Sequence, residues 1–162
     1  MVSQHTYNVE IVWTGNRGTG TSGYRSYGRD LRIIGSGKPD IDGSADSTFH
    51  GDADRWNPEE LFLTSLAQCH MLSYFHAAVK AGVVVMAYSD TPIGTLDVNT
   101  DGSGGFRQVT LRPRLTLAPG GDVDAAMRAH DAAHRMCFIA NSVSIPVHVE
   151  PEIVVEGADS AS

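Results

Sequence analysis

The sequence predicts an α+β protein in which two helices, packed with β-sheets, carry the core. Two observations set that class. Apolar residues alternate in short runs before, between and after two helical stretches, in the order strands, helix, strands, helix, strand. The first helical stretch is apolar on nearly all sides, as a helix at the centre of a fold or an oligomer must be. The length of 162 residues suits one compact domain with an adequate core, spanning 1–162 with its structured part at 5–156.

The elements follow in order. Thr6–Trp13 reads as a strand, with Tyr7, Val9, Ile11 and Trp13 on one face. Gly15 to Gly23 is rich in glycine and threonine and predicts a turn; Gly18-Thr19-Gly20-Thr21 lacks the lysine of a phosphate-binding loop and precedes a strand instead of a helix. Tyr24–Ile34 is again strand-like. Gly35 to Trp56 is a long polar connection with four glycines and one proline, of the kind that often carries function. A helix is predicted from Pro58 to about Ala81. Asn57 suits its N-cap, Pro58 its first turn, Glu59 and Glu60 the positive end of its dipole, and Gly82 its stop. Val83–Val98 reads as one or two strands, and Phe106–Leu117 as another in which Pro113 suggests an edge or a bulge. Asp122 caps a second helix, Val123 to about Met136. A last strand runs from Pro146 to Val155, and Gly157–Ser162 reads as a disordered tail.

The formal net charge of −7 argues against nucleic acid as a partner, because phosphate binding needs a basic surface. No apolar run reaches the roughly 18 residues of a membrane span, and the first residues lack a secretory pattern. A cytoplasmic location, without membrane association, is the expectation. Structural disulfides are uncommon there.

That makes the two cysteines informative. Cys69 lies on the first helix, on one face with Leu61, Ser65, Leu72 and His76; Cys137 closes the second, on a stripe with Val123, Met127, His130 and His134. Two such thiols suit a structural disulfide, a metal site or a redox couple, and a disulfide would need Cα atoms within roughly 7 Å. Nearby histidines add a second question. His130 and His134 have the i, i+4 spacing that grips a metal, and with Cys137, Cys69 and His76 they could build a Cys/His centre; the plainer reading is core histidines bonded to backbone or to each other. The Cys-x-x-Cys signature of zinc sites is absent, so no metal is expected.

Three segments together resemble the OsmC/Ohr family of thiol-dependent peroxidases: Trp13-x-Gly15 with Gly18-Thr19-Gly20-Thr21; Asn57-Pro58-Glu59-Glu60-Leu61 with Cys69 eight residues further on; and Cys137-Phe138-Ile139-Ala140-Asn141-Ser142, which is similar to the family's Cys-Pro-Val-Ser segment. The resemblance covers nearly the whole chain. It implies an OsmC-like fold, an intertwined homodimer with sites at the subunit interface, and reduction of organic hydroperoxides. By the same resemblance Cys69 is the peroxidatic thiol, Cys137 the resolving thiol, and Glu59 the carboxylate that orients an activating arginine. No bound cofactor is implied. The reductant is an external dithiol, either a small molecule or a lipoyl protein.

In one branch of the family the arginine precedes Asn-Pro-Glu, where this chain has Ser47-Thr48-Phe49-His50-Gly51. In the other it lies in a glycine-rich turn between the first strands, where this chain offers Arg17, Arg25 and Arg29, with Arg55 just before the helix. Arg29 is the first choice and Arg25 the alternative. His50 can substitute only when protonated. Leu61, Phe62, Leu66 and Leu72, with His50, are the expected substrate pocket. On an unbroken helix Glu59 and Cys69 stand roughly 15 Å apart, so a bridging arginine or a partner chain must connect them. Two other readings remain: a catalytically silent member that binds a ligand in the same pocket, and a metal-binding protein.

Overall fold

The computed structural model describes residues 2–157. The chain forms two compact units that divide between Phe62 and Leu63.

In the first unit, β1 (Glu10–Trp13), β2 (Leu31–Ile34) and β3 (Ile41–Gly43) form an antiparallel sheet in the order β1-β2-β3. The strands are shorter than the sequence pattern suggests. The apolar alternation begins at Tyr7, but Tyr7 and Val9 are exposed and belong to no strand, because β2 offers only four residues to pair with. Residues 24–30 belong to no strand either. The buried Gly15 and Gly28 meet there: the Gly28 N–H donates to the Gly15 carbonyl at 2.7 Å, and Trp13 Nε1 donates to the Gly28 carbonyl at 2.8 Å. A Cβ on Gly15 would fall onto that Gly28 carbonyl, which is the physical content of the Trp13-x-Gly15 pattern. The long polar connection is also partly ordered. It holds β3 and a 3-10 turn at Ser47–Phe49, capped by the Asp46 carboxylate on the Thr48 N–H at 2.8 Å. Their few apolar residues hid both from the sequence.

Helix α1 (Pro58–Lys80) begins in the first unit and continues through the second. Its start is a reciprocal capping box. Asn57 Oδ1 accepts the Glu60 N–H at 2.8 Å, and Glu60 Oε2 accepts the Asn57 N–H at 3.3 Å. Gly82, at φ +70°, supplies the left-handed residue that stops it.

The second unit holds two three-stranded sheets cut from the same three chain segments. Sheet β4-β7-β9 joins β4 (Val85–Asp90), β7 (Pro113–Leu117) and β9 (Glu152–Val155); sheet β5-β6-β8 joins β5 (Ile93–Val98), β6 (Gly104–Leu111) and β8 (Val147–Val149). Every break between the paired halves carries a proline: Pro92, Pro113 and Pro151. Proline has no N–H to give the ladder and is tolerated at a strand's first residue. Pro113 therefore marks neither an edge nor a bulge. It opens β7, the central strand, which pairs with β4 and β9 on its two sides. For the same reason the single strands expected at 106–117 and 146–155 are each two. At the bend the Asp90 carboxylate accepts the Arg112 N–H at 2.7 Å.

The strands β8 and β9 run parallel to β6 and β7. Parallel neighbours need a crossover, and α2 (Val123–Met136) provides it, capped by Asp122 on the Ala125 N–H at 2.9 Å. Its alanines 126, 129 and 133 join Tyr74, Ala77, Ala78, Val83, Leu115 and Leu117 in the core. On α1 the buried stripe is Leu66, His70, Tyr74, Ala77 and Ala78, whereas Leu72 and Val79 are 56% and 78% exposed. Among the described residues no helix is long and apolar enough to cross a membrane. Of the tail expected to be disordered, 158–162 lie outside the described residues.

Replacing Asn57 with alanine removes one bond of the capping box and should cost about 1 kcal/mol of stability in chemical denaturation, whereas Asn57→Ser should restore most of it.

Candidate functional site: a thiol pair beside an apolar cavity

Cys69 sits mid-helix on α1, half-buried; Cys137 follows the last turn of α2 and is buried. Both are free thiols, and Cys69 lies near enough to Cys137 to affect its ionisation. The chain leaves α2 at Cys137 in extended geometry and turns at once into a 3-10 turn, Ala140–Ser142. That turn brings the Ala140 N–H to 3.4 Å from Cys137 Sγ, while Asn141 Nδ2 donates to the Arg135 carbonyl at 2.9 Å. Burial, followed by the neighbouring Cys69, pushes the Cys137 thiol up to about 11 against the smaller opposite effect of the Ala140 N–H. Cys137 is therefore a protonated thiol at neutral pH.

Beside the pair lies a cavity of ≈640 Å³ lined by Cys69, Leu72, Ser73, His76, Arg135, Met136 and Phe138. Its walls are mainly apolar, with one guanidinium. Arg135 makes no ion pair among the described residues, in contrast to Arg107, Arg112 and Arg114, which engage Asp97, Glu150 and Glu152.

Deeper between the helices, His70 Nε2 and His130 Nδ1 are 3.0 Å apart with rings nearly parallel, and the Tyr74 ring stacks on His130 at 4.1 Å. Burial, and then the neighbouring His134, holds His70 down to about 4; burial, and then His70, holds His130 down to about 3. Both are neutral above these values. They are core histidines bonded to each other, and among the described residues no group of three or more His, Cys, Asp or Glu side chains is arranged to hold a metal.

The family model for OsmC-like proteins matches residues 51–152, a stretch that includes the Asn57 helix start and both cysteines. The chain belongs to the OsmC-like protein family. Comparison with curated proteins gives no significant match. Among solved structures, an OsmC-like protein of unknown function from Vibrio cholerae O1 biovar eltor is similar with a TM-score of 0.80 and 26% identity, over 91% of this chain and 99% of that one. An organic hydroperoxide resistance protein from Elizabethkingia anophelis is similar at 0.66 and 17%, over 94% and 99%. The organic hydroperoxide resistance protein OhrB of Bacillus subtilis is similar at 0.60 and 20%, over 91% and 98%. At these identities the latter two establish a shared fold.

Within this OsmC-like chain, the other residues singled out from the sequence are placed as follows. Leu72 lines the cavity with Cys69, whereas Leu66 is fully buried in the core and Leu61 and Phe62 are half-buried on the first turn and a half of α1. Glu59 is in the first turn, and its Oε2 is buried without a hydrogen-bond partner among the described residues. In the first unit Arg29 is committed to its own loop: its guanidinium donates to the Tyr24 and Tyr27 carbonyls, both at 2.8 Å, and lies 4.7 and 4.3 Å from those two ring centroids. His50 makes an edge contact with Tyr24 at 5.4 Å and has a left-handed backbone, φ 65°. Arg25 is exposed and makes no ion pair among the described residues. Sequence reasoning missed Arg135. Its signal was its place two residues before Cys137 in the last turn of α2, but arginine is common at a helix C-terminus for electrostatic reasons alone.

Two outcomes follow. Alkylation of the reduced protein at neutral pH, followed by mass spectrometry, should label Cys69 well before Cys137, which is buried and protonated. The histidine pair also sets an acid limit. An imidazole whose folded pKa is depressed below the ordinary 6.5 lets the unfolded chain bind more protons, so stability falls as pH drops from about 6.5 towards 4. The slope should approach about 1.4 kcal/mol per pH unit per histidine and flatten in a His70→Gln/His130→Asn variant, read by denaturation at each pH.

Proposed function

We propose that this protein reduces organic hydroperoxides by a two-cysteine cycle. The placing of Cys69 near Cys137, with Cys69 at the wall of an apolar cavity, carries the proposal. The Cys69 thiolate attacks the O–O bond. A sulfur–oxygen bond forms, the O–O bond breaks, and the alkoxide takes a proton from solvent and leaves as alcohol. Cys69 is then a sulfenic acid. Cys137 attacks that sulfur, its proton leaves with the hydroxide as water, and a Cys69–Cys137 disulfide closes before irreversible over-oxidation. An external dithiol, small or lipoyl-bound, reopens it by exchange, so the reaction needs no bound cofactor.

The residue types fit the steps. Cys69 is partly open to the cavity and Cys137 is closed off from solvent, the order that separates the attacking thiol from the resolving one. Leu72, Met136 and Phe138 suit an alkyl body. Arg135 is the cation at hand for the Cys69 thiolate, alongside the Glu59–Arg29 pair, or Glu59 with Arg25, that the family resemblance implies. A homodimer belongs to this reading: Phe138 is 80% exposed and Val79 nearly as open, large apolar side chains that a subunit interface would cover. A cytoplasmic setting, with the thiols kept reduced, suits the cycle.

The test treats the reduced protein with a slight excess of an alkyl hydroperoxide and maps the product by mass spectrometry. A Cys69–Cys137 disulfide with one peroxide consumed is expected. Cys69→Ser should abolish consumption, and Cys137→Ser should stop after one turnover with sulfenic acid on Cys69. No disulfide and no consumption would reject the mechanism. In the same assay Arg135→Ala should slow Cys69 oxidation about tenfold, the effect of losing roughly one pKa unit of thiolate stabilisation. A larger loss for Arg29→Ala would give the role to the loop arginine instead.

A further inference from the structure

The proposed cycle uses neither His70 nor His130, although theirs is a fully buried polar contact between the two helices that carry the thiols. Along α1 from Cys69 through His70 to Tyr74, the partners on α2 run backwards from Cys137 through His130 to Ala126, whose carbonyl accepts the Tyr74 hydroxyl at 3.2 Å. The two hydrogen bonds, His70–His130 and Tyr74–Ala126, thus share one antiparallel register, and Cys137, past the end of α2, lies near Cys69 in that register. What the two helices otherwise give the shared core is largely small residues, Ala77, Ala78, Ala129 and Ala133, whose side chains oppose sliding or rotation only weakly.

The pair is kept at a cost. Each neutral imidazole has one N–H, and the 3.0 Å contact uses one of the two. The outer nitrogens, His70 Nδ1 and His130 Nε2, have no partner among the described residues. In either tautomeric arrangement one N–H is left outside the pair, a demand that an apolar pair of similar volume would not make. Buried polar groups held against stability are best attested as devices that specify register. Register matters here because disulfide closure tolerates only a narrow range of Cα separation, and a slip of one helical turn is about 5.4 Å.

We propose that His70 and His130 are positioning residues for the thiol pair, holding α1 on α2 in the register that keeps Cys69 against Cys137. This rests on reading the two cysteines as a redox couple. Replacing both by leucine removes the hydrogen bond while keeping the core filled. His70→Gln with His130→Asn keeps it, since a glutamine amide mimics Nε2 and an asparagine amide mimics Nδ1.

The experiment compares the three proteins by glutathione redox titration of the Cys69–Cys137 disulfide and by affinity for phenylarsine oxide, which bridges two adjacent thiols without oxidation. The leucine pair should be as stable as the native protein in denaturant, yet lose about tenfold in disulfide equilibrium constant, a potential change of about 30 mV, and about tenfold in arsenical affinity. The amide pair should return both to within about threefold of native. Should the leucine pair not fold, His130→Met serves as the comparison. Native potential and native arsenical affinity in the folded apolar variant would overturn the proposal. Strong native arsenical binding that weakens in the leucine variant, without hydroperoxide consumption by any of the proteins, would support positioning and reject the peroxidase reading, so the two failures are separable.

Discussion

The burial of Tyr74 is the interaction on which the second unit depends. Its ring has no exposed surface, stacks on His130, reaches towards Tyr88 of β4 at 6.1 Å, and sends its hydroxyl to the α2 backbone. One side chain therefore touches both helices and the sheet. An aromatic of this size dominates local packing energetics, and its polar tip must find a partner once buried. That requirement, met by a carbonyl four residues from His130, fixes where α2 lies on α1 and hence which α2 residue faces Cys69.

The same interior favours neutral forms. Burial raises the Tyr74 phenol to about 12 and Cys137 to about 11, raises Tyr88 as well, and lowers both histidines. Burial there discourages charge on each of these five groups. Cys69 stands half-buried, facing the cavity that Arg135 also lines. The two thiols thus differ in setting by position and not by residue type.

Much of this was legible in the chain. The Asn57-Pro58-Glu59-Glu60 start predicted α1 because capping is local, satisfied within four residues, and Gly82 ended it for an equally local reason. The Asp122 cap did the same for α2. Strand ends were not legible. Tyr7 and Val9 alternate correctly yet pair with nothing, and Ile41 pairs despite its polar surroundings, because a strand exists only where a neighbour supplies the ladder. Pro113 shows the same limit: its missing N–H was visible, but its place at the start of a central strand depended on two other prolines breaking the neighbouring segments in step.

What the sequence by itself determined is the set of locally decided features: two capped helices, a cysteine on each, and the motifs that carry the family resemblance. Tertiary structure alone decided that Cys69 lies near Cys137, that His70 bonds His130, and that Met136 and Phe138 line one cavity with Cys69 and Leu72. The physical reason is range. Caps and turns are closed by backbone groups a few residues away, whereas contacts between residues some sixty positions apart depend on how whole helices settle against a bent sheet, which no local pattern encodes.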